Sequence, residues 1–170
     1  VTGGSAVNTL TFDLAPGVTS SSPEPLGVLA GTPLFAATNG SAVPGVGREL
    51  WFWNGSSPTL VQDLRPPEPQ SSDPLGGVVF QGRAFFPADD GVRGQELWVS
   101  DGSAAGTFLF KDIAPGVSAS QPRDLVVAGS RLYFTANDGT AGRELWTSDG
   151  TTAGTVLVLD VNPGAGSSNP

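Results

Sequence analysis

Glu-Leu-Trp occurs three times in this chain, at 49–51, 96–98 and 144–146, so that successive copies lie 47 and 48 residues apart. A second marker, Asp-aliphatic-X-Pro, occurs four times: "DLAPG" from Asp13, "DLRPP" from Asp63, "DIAPG" from Asp112 and "DVNPG" from Asp160, at spacings of 50, 49 and 48. Two independent markers on one period make the chain about three and a half copies of one unit. A repeat this short cannot enclose a core of its own, so each unit must bury its apolar face against its neighbours.

Within the unit, the residues after Asp124 break into four short segments rich in β-branched and aromatic residues, at 125–128, 131–136, 143–147 and 156–161. Gly, Asp, Asn or Pro bounds each of them. "SRLYFTA" alternates Leu132, Phe134 and Ala136 against Arg131, Tyr133 and Thr135, the period of a strand with one buried face. No segment holds a helical period. The expected fold is therefore all-β: tandem four-stranded antiparallel blades, arranged as a partial propeller or an open repeat array. The periodicity divides the chain into a closing strand at 1–17, repeats at 18–67, 68–116 and 117–164, and the start of a further repeat at 165–170. The Asp-Gly pairs, as in "TSDGTTAGT", read as tight-turn residues that accept positive φ.

Composition narrows the chemistry. With 24 Gly and 15 Pro, no Cys and no His, the chain has neither disulfides nor thiol nucleophiles, and lacks the commonest general base and zinc ligand. A net charge of −8 with only 8 basic residues argues against nucleic acid or an anionic membrane as partner. No run approaches the length of a membrane helix, so membrane insertion is not expected. The chain begins at Val1 and contains no Met, which reads as a piece of a longer product.

The long motif resembles the bacterial ELWxxDGT repeat family, through "ADDGVRGQELWVSDGSAAGT" at 88–107 and "ANDGTAGRELWTSDGTTAGT" at 136–155, each followed by a strand ending in Asp-aliphatic-X-Pro-Gly. The first copy departs from it: Asn39 and Asn54 stand where later copies have Asp, one loop is lengthened and the other cut to "WNGSSPT". The resemblance implies tandem arrays in large secreted or surface proteins, a propeller-type arrangement and no catalytic activity.

Each Glu of the motif, Glu49, Glu96 and Glu144, shares a strand face with a Trp two residues on. Such a carboxylate needs a partner if buried, and the candidates are the preceding Arg48 or Arg143 or a turn amide. The sharper reading is calcium, with Asp90 and Glu96, and Asp138 and Glu144, as hard oxygen ligands. Trp51, Trp98 and Trp146 recur once per unit and read as packing residues. Trp53 belongs to the first copy alone and is the candidate for contacting a sugar or protein partner. Acids that recur at equivalent positions read as scaffold rather than catalyst. The expectation is a non-catalytic extracellular or cell-surface scaffold for binding or adhesion, with a self-assembling surface or filament protein and a calcium-stabilised repeat as alternatives. Open blade edges also allow self-association.

Overall fold

The computed structural model describes residues 14, 20–39, 47–66, 70–168 and 170. The expected closing strand at 1–17 falls almost wholly outside them, as does most of the lengthened loop of the first copy. The described residues form twelve strands and no helix. The first sheet holds β1 (Glu24–Leu29), β2 (Thr32–Thr38), β3 (Arg48–Trp53) and β4 (Pro58–Gln62). The second holds β5 (Val78–Phe80), β6 (Arg83–Asp89), β7 (Gln95–Ser100) and β8 (Phe108–Lys111). The third holds β9 (Arg123–Ala128), β10 (Arg131–Asn137), β11 (Arg143–Ser148) and β12 (Val156–Leu159). Every sheet is a four-stranded antiparallel meander in sequence order.

Alternation decides which side chains meet between sheets. Leu132, Phe134 and Ala136 are at most 1% exposed and pack with Phe85, Phe110 and Leu97 of the second sheet. One repeat earlier, Ala84, Phe86 and Ala88 pack against Leu29, Leu34 and Leu50 of the first. The chain thus has two apolar seams, and the second sheet contributes one face to each. Trp98 belongs to the first seam and Trp146 to the second. Across β2 and β3, and their counterparts, Phe35 pairs with Trp51, Phe86 with Trp98 and Phe134 with Trp146. Cross-strand aromatic pairs of this kind hold a register firmly.

The repeats also share irregularities. A register shift follows Leu50, Leu97 and Leu145, the central residue of each Glu-Leu-Trp; the extra residue opposite it on the fourth strand is Val61, Phe110 or Val158. The tight turns differ from the sequence reading. Two-residue connections join β1 to β2 and β5 to β6, through Ala30-Gly31 and Gln81-Gly82, with all four residues at positive φ, the backbone of a type I′ turn. In "SDGS" at 100–103 and "SDGT" at 148–151 only the glycine is left-handed, Gly102 at 92° and Gly150 at 90°. The Asp there acts through its side chain. Finally, β12 stops at Leu159, short of the expected 161, because Val161 turns its amide toward Glu144.

Candidate functional site

The Glu of each Glu-Leu-Trp is 0% exposed, facing an Ala on the neighbouring strand: Ala37, Ala88 and Ala136. Its partners are neither Arg48 nor Arg143. Glu96 accepts hydrogen bonds from the amides of Ile113 (2.7 Å), Ser120 (2.9 Å) and Ala114 (3.4 Å), and from the Ser120 hydroxyl (2.6 Å). Glu49 accepts from the Leu64 amide (3.0 Å) and from the Ser72 amide (2.8 Å) and hydroxyl (2.6 Å). Glu144 accepts from the amides of Val161 (3.3 Å) and Ser168 (2.7 Å). In every copy the carboxylate therefore gathers both ends of the segment that leaves the fourth strand and leads toward the next repeat. We call this segment the connector and the Glu its latch.

The glycine two residues before each Glu completes the latch. A Cβ on Gly94 would lie 3.0 Å from Ala119, one on Gly142 would lie 2.8 Å from Gly166, and one on Gly47 would overlap the Gln70 carbonyl. The connector passes too close for any side chain there. Burial pushes the Glu49 and Glu96 carboxyls above the usual glutamate range, against the pull of the serine hydroxyls and backbone amides.

The serine is the residue that sequence reasoning missed. Ser72, Ser120 and Ser168 each begin a Ser-X-Pro triplet, and they recur at the same 48-residue period as the latch. The X residue is left-handed where described: Ser22 at 44°, Asp73 at 45° and Gln121 at 48°. That conformation costs a non-glycine residue free energy, and the following proline adds to the crowding.

The aspartates of the two Gly-rich loops also serve backbone. Asp101 accepts from the Ser103 hydroxyl and amide, and Asp149 from those of Thr151. A Cβ on Gly106 or Gly154 would overlap these carboxylates. In the first copy Asn54 does the same task, its Oδ1 accepting from the amides of Ser56 and Ser57. A neutral oxygen suffices, so the turn needs an acceptor and not a charge. The other loop is closed in the same way. Asp90 accepts from the Val92 and Arg93 amides and pairs with the Arg93 guanidinium at 2.6 Å, while Asp138 accepts from the Thr140 and Ala141 amides. Desolvation raises the pKa of Asp90 and Asp138, but the amide hydrogen bonds outweigh it and hold both below the usual aspartate value.

Asp90 and Asp138 thus cap loops, and Glu96 and Glu144 latch connectors. Among the described residues, no three or more His, Cys, Asp or Glu side chains gather as a set for a metal ion. Trp53 is half-buried at the end of β3, opposite Pro58. It takes the place of Ser100 and Ser148, whose hydroxyls bond those of Thr107 and Thr155 in the later copies.

A concavity lies in the first seam. A cleft of about 680 Å³ is lined by Leu29, Leu34 and Phe52 of the first sheet and by Asp101, Gly102 and Ser103 that follow the third strand of the second. The matching place in the second seam is bridged. There Gln81 donates to the Asp149 carbonyl (3.0 Å), Arg83 to the Gly150 carbonyl (3.1 Å) and the Thr152 hydroxyl to the Phe110 carbonyl (3.2 Å). In the first repeat Ala30 and Thr32 replace Gln81 and Arg83, and in the second Ala104 replaces Thr152. The Ser103 amide and hydroxyl hold the Asp101 carboxyl below its usual value, so it is ionised at neutral pH and accepts hydrogen bonds.

Compared with known proteins, the chain matches no family model, no curated protein and no solved structure.

Proposed function

We propose that this chain is a non-catalytic β-repeat scaffold of the ELWxxDGT type, propeller-like in arrangement, that binds carbohydrate at the cell surface through the cleft of its first seam. One observation carries this reading: at the hairpin end of the second seam Gln81, Arg83 and Thr152 bridge the sheets, whereas at the same end of the first seam Ala30, Thr32 and Ala104 stand in their places beside a cleft. A binding pocket of this size combines an apolar wall with a few fixed polar groups. Here Phe52 and two leucines supply apolar lining, and Asp101 and Ser103 supply polar groups. A pyranose ring has matching chemistry, with an apolar C–H face and hydroxyl donors at its edge. Among the described residues, the latch and loop acids are engaged with backbone amides, a structural use that fits a scaffold. Calcium held by Asp90, Glu96, Asp138 and Glu144 is the alternative reading, and a thermal melt at millimolar Ca²⁺ tests it by whether the midpoint rises.

Screening on a glycan array, followed by saturation-transfer NMR on the best ligand, tests the proposal. The double variant Ala30→Gln/Thr32→Arg installs the bridging residues of the second seam and should abolish binding while leaving the fold intact. Equal binding by that variant, or no glycan bound by the wild type, would contradict it.

A further inference from the structure

The second seam carries a cation at its hairpin end, and the first does not. In the second seam the Arg83 guanidinium donates to the Gly150 carbonyl and stands 5.8 Å over the Phe85 ring, so its charge is committed between the second and third sheets. Thr32 holds the corresponding place in the first repeat. Among the described residues, those that line the first-seam cleft include no Lys or Arg, and their one charged side chain is Asp101. Asp101 is exposed. Both bonds that it accepts from Ser103 fall on Oδ1, and neither occupies Oδ2. Of the groups that hold its carboxyl below the usual aspartate value, the Ser103 hydroxyl comes first and Arg83 last. The charge at the cleft is therefore negative and only weakly balanced, in a chain with 16 acidic against 8 basic residues, whose overall field also favours cations.

We infer that the cleft selects a glycan bearing a protonated amine, a hexosaminide, over neutral and acidic sugars. The inference rests on the carbohydrate reading of this cleft and names the charge of its ligand. The apolar face of the sugar lies against Leu29, Leu34 and Phe52 whatever its substituents. The ammonium is what Asp101 recognises, through a charge-assisted hydrogen bond to Oδ2. A carboxylate on the sugar would meet repulsion from the same group, with no Lys or Arg in the lining to receive it.

Titration calorimetry with the β-1,4-linked disaccharides of glucosamine, glucose and glucuronate, below the pKa of the sugar amine, tests it. The glucosamine disaccharide should bind about three- to fivefold tighter than the glucose one, the worth of a partly exposed ion pair. The glucuronate disaccharide should bind more weakly than either. Added salt should shrink this spread by screening, and Asp101→Asn should erase it. That variant keeps its turn, because Asn54 accepts the corresponding amide in the first copy, and an unchanged far-ultraviolet spectrum would verify this. Equal affinity for all three, tighter binding of the glucuronate, or a preference that survives Asp101→Asn would overturn the inference and leave the carbohydrate reading standing. So would failure to bind any of the three by a protein that binds another glycan on the array. A protein that binds no glycan at all overturns both.

Discussion

The two seams share one latch and differ in how their ends are closed. At the connector end, the first seam has an ion pair between Arg65 and Asp89 at 2.7 Å, and Glu24 accepts from the Gly76 amide at 3.3 Å. Its hairpin end is the 680 Å³ cleft. The second seam is the reverse. Gln81, Arg83 and Thr152 bridge its hairpin end, while a smaller cleft of about 460 Å³, lined by Leu75, Gln121 and Arg123, opens at the connector end. Leu75 stands there where the first repeat has Glu24. The difference teaches that the repeat fixes its apolar middle and its latch, and leaves the seam ends free to vary. Function has room only at those ends.

The largest effects should come from what the seams share. Glu96→Ala strands three amides and a hydroxyl, and buried donors without partners cost about 1–3 kcal/mol each, so a loss of about 4 kcal/mol or more is expected in urea unfolding. Glu49→Ala, with two amides and a hydroxyl, should cost less, and Glu144→Ala, whose connector leads to no further described sheet, the least. An equal loss at all three would break the account of the latch as a link between sheets. The latch also has a pH signature. The folded pKa of Glu96 is raised above 4.5, so between these values the folded chain holds a proton that the unfolded chain has lost. Stability should therefore fall as pH rises through that window. Glu96→Gln should lessen this decline, read as melting midpoint against pH, with Glu49, raised in the same way, supplying the remainder.

Next in size is Gly106→Ala, whose methyl group would strike the Asp101 carboxylate. Overpacking of this kind costs about 1–3 kcal/mol, and Gly55→Ala in the shortened first-copy loop, where a Cβ meets nothing within 4 Å, should cost less, mainly through its left-handed φ of 96°. Converting one seam end into the other is a smaller change. Gln81→Ala/Arg83→Thr removes two partly exposed hydrogen bonds, for a cost of roughly 1–2 kcal/mol. With Thr152→Ala added to remove the remaining bridge to the Phe110 carbonyl, it should open a second cleft, measurable as a second glycan site by titration calorimetry. The smallest effect should be a gain: Gln121→Asn, at a left-handed residue, should raise stability by about 0.5 kcal/mol, because Asn tolerates that region better.

Much of the middle of each seam could be read from sequence. Period-two alternation placed Leu132, Phe134 and Ala136 inward, and the recurrence of Trp98 and Trp146 marked them as packing residues. That Glu96 would need a partner if buried followed from its place beside Trp98, and a backbone amide was among the candidates, but the connector amides and Ser120 that serve were not identified. Ser120 lies 24 residues away in a stretch that reads as linker, and only the close pass of the connector over Gly94 brings it to the carboxylate. The bulge opposite Leu97 and the left-handed Gln121 leave no mark on an apolar pattern, since both are backbone responses to packing. The cleft depends on Ala30, Thr32 and Ala104 together, residues from two repeats that meet only once the sheets stack.

Amide hydrogen exchange at Ile113 and Ser120 tests the latch most directly, by comparing the wild type with Glu96→Ala under conditions where both remain folded. The latch account predicts that these two amides exchange only through large-scale unfolding in the wild type, and become fast in the variant while the Leu64 and Ser72 amides stay protected. If Ile113 and Ser120 keep their protection in Glu96→Ala, the carboxylate does not hold the connector, and the account fails.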